Sequence, residues 1–284
     1  MKPDAHTILY CLFGRPARHS LSPAMHNAAF EHLGMNAVYL AFEPEKPLDA
    51  VRAMRALGIR GASITIPFKT DILDHIDEID PLAEKIGSVN TLINDDGIIK
   101  GFNTDGHGAV RALLANGVSI SGRKTLVVGN GGSARAIAFS LLEEKAEVTI
   151  SGRNEKNAGA LASDLSRYFK DVKSCRIDSL TNGSLDEYQI LINTTPVGMF
   201  PDIGSSPIDP SLLRPGMTVF DIVYAPARTR LLGSAESAGC RIVFGTEMLL
   251  YQGARQFELW TSGQAPVETM RDALIRNMKN RQKR

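Results

Sequence analysis

Apolar positions along this chain come in short runs closed by glycine or proline, and none is long enough to span a membrane. In the first hundred residues, Thr7–Phe13, Ala37–Phe42 and Arg60–Ile66 read as strands, each rich in β-branched, aliphatic or aromatic side chains. Helices fit between them. One starts at Ser22, a good N-cap ahead of Pro23 in the first helical position, and stops at Gly34. Another covers Leu48–Leu57 and stops at Gly58. Ser88–Ile93 predicts a further strand, Asp95-Asp96-Gly97 a hairpin turn, and Ile98–Phe102 the returning strand. A helix follows from about Gly108 to Leu114.

The stretch from Lys124 to Arg153 changes character. A β-branched run, Thr125–Val128, meets the turn Gly129-Asn130-Gly131-Gly132. A helix from Ser133 to about Glu144 and a second strand, Glu147–Ile150, follow. The turn spells G-x-G-x-x-A through Gly129, Gly131 and Ala134. The first glycine permits the tight turn, the second lets backbone approach a pyrophosphate, and the alanine lets the helix pack close to the sheet. Free N–H groups at the helix start then face the phosphates. An NAD site carries an acid at the end of the second strand to hold the ribose 2′-hydroxyl. Here that position reads Ser151-Gly152-Arg153-Asn154, with Lys156 close by. A guanidinium suits a phosphate, which points to NADP; the plainer reading of Arg153 is an ordinary surface arginine.

Further strands are expected at Lys173–Ile177, Gln189–Asn193, Thr218–Val223 and Arg241–Phe244, giving a doubly wound α/β pattern. After Gly245 the chain turns helical, over Glu247–Trp260 and then Val267 to about Lys279. Met248, Leu249, Gln252 and Gln256 share one face of the first of these. The first α/β region has too few helices to cover both faces of its sheet, so these last helices are expected to return to it. The fold class is therefore α/β with two α/β domains. A discontinuous N-terminal substrate domain (1–103 completed by 245–284) accompanies a Rossmann NADP-binding domain (104–244), with the active site in the cleft between them.

Bulk properties narrow the function classes. The chain has 284 residues and a net charge of +1, so no global field argues for nucleic acid or membrane. The basic tail, Lys279–Arg284, reads as a solvated helix end. The N-terminus lacks a signal-peptide core, and Cys11, Cys175 and Cys240 are far apart in apolar or strand-like surroundings. Both fit a reduced, cytoplasmic protein. The six histidines lack metal-ligand spacing, so no metal site is expected.

Several residues can carry chemistry. Thr65 and Lys69 follow a strand, at the sheet edge where open α/β sheets bind ligands; a solvated lysine is the bland alternative. Ser20 and Ser22 lie at a helix mouth. Capping accounts for Ser22, while Ser20 is left either as a loop hydroxyl or as half of a carboxylate cradle. Asp105 reads equally as a first-turn helix acid, Asn90 as a loop cap, and Tyr224 as a packing residue with a wet hydroxyl.

Taken together, HSLSP (His19–Pro23), TIPFK (Thr65–Lys69), VNTL (Val89–Leu92), NTDG (Asn103–Gly106), GNGGSARA (Gly129–Ala136), NTTPVGM (Asn193–Met199), DIVYAP (Asp221–Pro226) and GTEMLLYQGARQFELW (Gly245–Trp260) resemble the shikimate dehydrogenase family, in family order and over nearly the whole chain. The resemblance implies NADPH-dependent reduction of 3-dehydroshikimate to shikimate on the route to chorismate and the aromatic amino acids, by a monomer or homodimer with no nucleic-acid or membrane partner. It implies that Ser20, Ser22 and Tyr224 hold the substrate carboxylate, with Thr65 and Gln252 alongside, and that Asn90 and Asp105 hold ring hydroxyls. Lys69 and Asp105 would be the catalytic pair. Gly129, Asn130, Gly131, Gly132, Ser133 and Ala134 would hold the pyrophosphate and Arg153 the 2′-phosphate. Asn154, Lys156, Thr194, Met199, Ile222 and Gly245 complete the implied cofactor contacts.

Two places depart from the family pattern. Ser63 stands where many relatives carry Asn, and Gly152-Arg153-Asn154 where many carry Asn-Arg-Thr. The alternatives to this reading are a quinate or dual quinate/shikimate dehydrogenase and, from another class, a non-catalytic NADP-binding sensor. The presence of both Lys69 and Asp105 argues against the sensor, which needs no proton donor.

Overall fold

The computed structural model describes residues 3–181 and 183–282; the last two residues of the basic tail lie outside this range. The chain divides into two compact units, Met1–Asp105 with Leu250–Arg284, and Gly106–Leu249. The units share the long helix near the C-terminus, which starts in the second and ends in the first.

The first unit contains β1 (Ile8–Phe13), α1 (Ser22–His32), β2 (Ala37–Phe42), α2 (Pro47–Ala56), β3 (Gly61–Ile64), β4 (Glu78–Ile79), α3 (Pro81–Ile86), β5 (Thr91–Asp95) and β6 (Ile98–Phe102). Its sheet runs β2-β1-β3-β5-β6-β4. The first three strands are parallel, whereas β5 and β6 form an antiparallel hairpin added alongside β3. The sequence pattern left the segment between Lys69 and Ser88 unassigned. It holds a 3-10 turn at Asp71–His75, the two-residue β4 and the six-residue α3, which Asp80 caps through its carboxylate. Elements this short carry too little periodicity to stand out.

The two faces of this sheet follow from strand alternation. Cys11, Phe13, Ala62 and Ile64 point to the α2 side, packing with Val51, Met54 and Ile59. Tyr10 and Tyr39 point to the other side, where α1 is covered by α8 (Gly245–Thr261) and α9 (Val267–Gln282). Tyr10 stacks on Phe30 at 5.1 Å and lies 5.3 Å from Trp260, whose indole N–H donates to the carbonyl of Leu92 at 3.0 Å. His26 is fully buried there, stacked on Tyr39 at 4.5 Å, with no hydrogen-bond partner on either ring nitrogen. Burial lowers its pKa to about 3, so it packs as a neutral aromatic ring; the Gln256 side chain opposes the shift without meeting hydrogen-bond geometry. The outer edge at β2 is blunted by Asn27, whose side-chain amide donates to the Tyr39 carbonyl at 2.9 Å and accepts from its N–H at 2.7 Å.

The second unit contains α4 (Asp105–Ala115, from Gly106 onward), β7 (Lys124–Val128), α5 (Gly132–Glu143), β8 (Glu147–Gly152), α6 (Glu155–Leu165), β9 (Lys173–Arg176), β10 (Ile190–Asn193), β11 (Thr218–Asp221), α7 (Arg230–Ser237) and β12 (Arg241–Phe244). Its strands are parallel in the order β12-β11-β10-β7-β8-β9. Counted from β7 this is 3-2-1-4-5-6 read from one edge, the doubly wound arrangement whose order reverses between β7 and β10. Ligands of such sheets bind outside the carboxyl ends of the strands at that reversal. Leu126, Val128, Leu191 and Val219 are buried against Leu213, Leu231 and Leu232 on one face. Among the described residues, no helix is long and apolar enough to cross a membrane.

Candidate active site

In the first unit, four separate segments bring polar groups together. The turn after β3 is closed by Phe68 N–H donating to the Thr65 carbonyl at 3.0 Å, and Val89 N–H donates to the Lys69 carbonyl at 2.8 Å. Lys69 thereby sits beside the segment that carries Asn90. Its ammonium forms a close ion pair with Asp105 Oδ2, and the two side chains are only 14% and 4% exposed. A lysine so enclosed is no solvated surface charge. Asn103 Oδ1 accepts from Asp105 N–H at 3.0 Å, which fixes the start of the helix that presents the carboxylate. Asn90 Nδ2 donates to Asp105 Oδ1 at 2.8 Å and to Thr104 Oγ1 at 3.0 Å, with Gln252 Oε1 at 3.4 Å. Lys69, Asn90, Asp105 and Gln252 are therefore one cluster. An ammonium held by a buried carboxylate, with hydroxyl- and amide-bearing side chains around it, can deliver a proton to a bound oxygen, and the neutral amine left behind can take one back.

At the mouth of α1 the structure corrects the capping assignment. Ser22 is the first residue of the helix, and the cap position falls on Leu21, which offers no side-chain hydrogen bond. The Ser20 hydroxyl accepts from Ser22 N–H at 3.1 Å instead. Serine-proline reads as a cap followed by its first helical residue, but Leu21 already adopts helical backbone angles, so the helix begins one residue early. Ser22 is buried and Thr65 half-buried; both belong to the first unit and Tyr224 to the second.

In the second unit the glycine turn has the properties a pyrophosphate requires. Gly129 has φ +122, and a Cβ there would meet Thr194 Oγ1 at 2.3 Å, so both backbone angle and space demand glycine. Gly131 is different: a Cβ would meet no atom within 4 Å, so the space above it is open. Gly131 is also the cap of α5 and contributes no side-chain hydrogen bond to its first turn. Ala134 is buried against the sheet. At the end of β8, Arg153 and Lys156 are exposed and no acid lies at the strand end. These residues fit a phosphorylated dinucleotide. Asn154 caps α6 by accepting from Asn157 N–H at 3.2 Å, a structural job that the sequence did not reveal.

Past the ends of β10 and β11, a buried network ties two loops together. Asp221 accepts from Asn193 Nδ2 at 2.9 Å, Val223 N–H at 3.0 Å and Thr229 Oγ1 at 2.6 Å. It thereby anchors the segments that carry Thr194, Met199, Ile222 and Tyr224. Reading the sequence placed Asn193 and Asp221 at the heads of two motifs without giving either a role, and missed Thr229. Gly245, the residue after β12 and the first of α8, lies so close to the Ile222 carbonyl that a Cβ would sit 2.5 Å from it.

Burial pushes the Asp221 carboxyl up to about 6, its three donors opposing the shift. A folded-state pKa above the unfolded one means that stability is fully present below the unfolded value, 3.8, and is lost as pH rises through about 6. The loss amounts to about 3 kcal/mol. Asp221→Asn is accordingly expected to gain stability relative to the wild type between pH 4 and pH 8, read as a growing difference in urea midpoints. A difference that stays constant with pH would place the titration elsewhere.

The chain matches family models over most of its length. Residues 12–92 match the shikimate dehydrogenase substrate binding domain, residues 112–199 the shikimate/quinate 5-dehydrogenase family, and residues 245–275 the shikimate 5′-dehydrogenase C-terminal domain. A shikimate dehydrogenase (NADP(+)) of Methanosarcina barkeri is 46% identical over 94% of this chain and 97% of its own length. A shikimate dehydrogenase solved in complex with NADP+ superposes with a TM-score of 0.92 at 38% identity, covering 98% of both chains. The Thermus thermophilus shikimate 5-dehydrogenase, solved in complex with NADP(H) and shikimate, gives 0.87 at 34% identity, covering 95% of this chain and 99% of that one. With identities of this size over nearly the full length, the chain belongs to the shikimate dehydrogenase family.

Proposed function

We infer that this protein is an NADP-dependent shikimate dehydrogenase, an oxidoreductase acting on a CH–OH group that reversibly reduces 3-dehydroshikimate to shikimate in chorismate and aromatic amino acid biosynthesis. The observation that carries the reading is the enclosed Lys69–Asp105 pair, held by Asn90 in a chain that also has a helix opened by a glycine turn. When bound, NADPH supplies hydride to the C3 carbonyl carbon. Lys69 supplies the proton to the oxygen as negative charge develops there and regains it from solvent afterwards; in the reverse direction neutral Lys69 takes the hydroxyl proton. Asp105 fixes the ammonium and, with Asn90, accepts and donates hydrogen bonds to ring hydroxyls. Ser20, Ser22 and Tyr224 bind the carboxylate, with Thr65 and Gln252 beside it.

Gly129 to Ala134 hold the pyrophosphate through backbone N–H groups, and Arg153 with Lys156 and Asn154 surround the 2′-phosphate. Thr194, Met199, Ile222 and Gly245 line the nicotinamide side. Residues 1–103 with 245–284 form the substrate-binding domain and 104–244 the Rossmann domain. The enzyme works in the cytoplasm as a monomer or homodimer. Purified protein given shikimate and NADP+ should produce NADPH, with quinate and NAD+ as the companion assay. Faster turnover of quinate with NAD+ would move the assignment to a quinate dehydrogenase, and no turnover of either would leave a sensor.

Ser20→Ala and Ser22→Ala are both expected to raise KM for shikimate. Their stabilities should differ in the order set by the observed hydrogen bond. Loss of the Ser20 hydroxyl removes a partner of Ser22 N–H and costs about 1 kcal/mol, while Ser22→Ala costs less. Chemical denaturation of the two variants checks the order, and a larger loss in Ser22→Ala would restore the capping role.

A further inference from the structure

Buried polar side chains leading to Asn90 form one connected series. Tyr39 Oη donates to Ser63 Oγ at 2.6 Å, and Ser63 Oγ donates to Gln256 Oε1 at 2.7 Å. Gln256 Nε2 then donates to the backbone carbonyl of Asn90 and to Thr91 Oγ1, both at 3.0 Å. Thr91 Oγ1 donates onward to Asn90 Oδ1 at 2.7 Å. Tyr39, Ser63, Thr91 and Gln256 are all buried, Gln256 being 1% exposed.

The direction of this series is fixed by donor counting. A hydroxyl has one proton. Ser63 gives its proton to Gln256, so the amide oxygen of Gln256 faces Ser63 and its NH2 faces Asn90 and Thr91. Thr91, having accepted from Gln256, gives its own proton to Asn90 Oδ1. Thr104 N–H donates to the same oxygen at 2.8 Å. With its oxygen occupied, Asn90 must turn Nδ2 toward Asp105, where it donates at 2.8 Å. The flipped amide would set Oδ1 against the carboxylate and Nδ2 against the Thr104 N–H. The Asn90 carbonyl that Gln256 holds also accepts from Ile64 N–H at 2.8 Å, at the junction of β3 and β5.

We propose that Gln256 is a positioning residue for the reaction: through Thr91 and the Asn90 backbone it sets the orientation of the Asn90 amide, and through that amide the placement of the Asp105–Lys69 pair. The proposal rests on the reading of Lys69 and Asp105 as the reacting pair. Gln256 itself bonds to neither. Its loss leaves the Asn90 carbonyl and the Thr91 hydroxyl each short of a donor in a buried place, where partly satisfied networks rearrange. Displacements of this kind near reacting groups have large rate effects.

Gln256→Met keeps length and approximate volume and removes both ends of the amide. It is expected to lower kcat for shikimate oxidation by about tenfold to a hundredfold, with KM for NADP+ changed by less than about twofold. The discriminating measurement is a double-mutant cycle. In an Asn90→Ala background, Gln256→Met should have little further effect on kcat, because the group it orients is gone. Equal fold-losses of kcat in both backgrounds, or an unchanged kcat in folded Gln256→Met, overturn the proposal. If Gln256→Met fails to fold, Thr91→Val cuts the same series at nearly constant volume and is carried through the same cycle under the same criteria. Lys69→Ala, measured alongside, separates the two levels. Near-normal kcat in Lys69→Ala overturns the acid–base reading and this proposal with it. Full activity in Gln256→Met beside an inactive Lys69→Ala overturns this proposal alone.

Discussion

Lys69→Ala is expected to lower kcat by roughly 10²- to 10⁴-fold while KM for shikimate changes much less. The reason lies in what the ammonium does at each stage. In the ground state the substrate is held by several hydroxyls and amides, and one lysine adds little. As hydride arrives, the carbonyl oxygen becomes an alkoxide and needs a proton, so the contribution of Lys69 is concentrated in the transition state. The enclosure of the Lys69–Asp105 pair strengthens that expectation, since charges shielded from water act on one another with less screening. Steady-state kinetics with shikimate and NADP+ provide the check. A large rise in KM at near-normal kcat would make Lys69 a binding residue and remove its acid–base role.

The second large effect concerns cofactor choice. Arg153 is exposed just past β8, where the adenine ribose of a doubly wound fold lies, and β8 ends in Ser151 and Gly152 instead of an acid. A guanidinium pairs with the 2′-phosphate through charge-assisted bonds and stacks on the adenine. NAD+ has a hydroxyl in that place and forfeits those bonds. At roughly 1.5–3 kcal/mol for such a bond, NADP+ should be preferred by at least about tenfold in kcat/KM. Arg153→Ala should raise KM for NADP+ and leave NAD+ kinetics nearly unchanged. Lys156, also exposed, adds a longer-range attraction that should fade with added salt. Equal damage to the use of both cofactors would make Arg153 structural and end the selectivity argument.

Local signals in the sequence went far where the physics is local. The strand, glycine turn and helix around Gly129 are specified by neighbours a few residues apart, and β7, the turn and α5 fall where the pattern predicts. The same holds for β2 and β6, whose ends match their apolar runs, and for the return of chain to helix after Gly245. Lys69 was visible as a candidate because it follows a strand at a sheet edge, whereas Asp105 read as a first-turn helix acid and gained a catalytic role only through the family resemblance. Side-chain identity and spacing cannot say, however, that the two touch. They are joined by the hairpin of β5 and β6, which lays Asn90 beside both.

Tertiary packing decided the rest. The 3-2-1-4-5-6 strand order, and with it the reversal point between Gly129 and Thr194, depends on pairings across tens of residues that no local period encodes. Ser22 became the first residue of the helix and Leu21 its cap, with the Ser20 hydroxyl accepting from Ser22 N–H, a one-residue choice below the resolution of capping rules. The clearest case is the buried polar series. Tyr39, Ser63, Thr91 and Gln256 look in sequence like residues of three strand regions and a helix face. Each hydroxyl or amide is tolerable inside the fold only because another element supplies its partner, and partners separated by up to 193 residues are chosen by the folded chain alone.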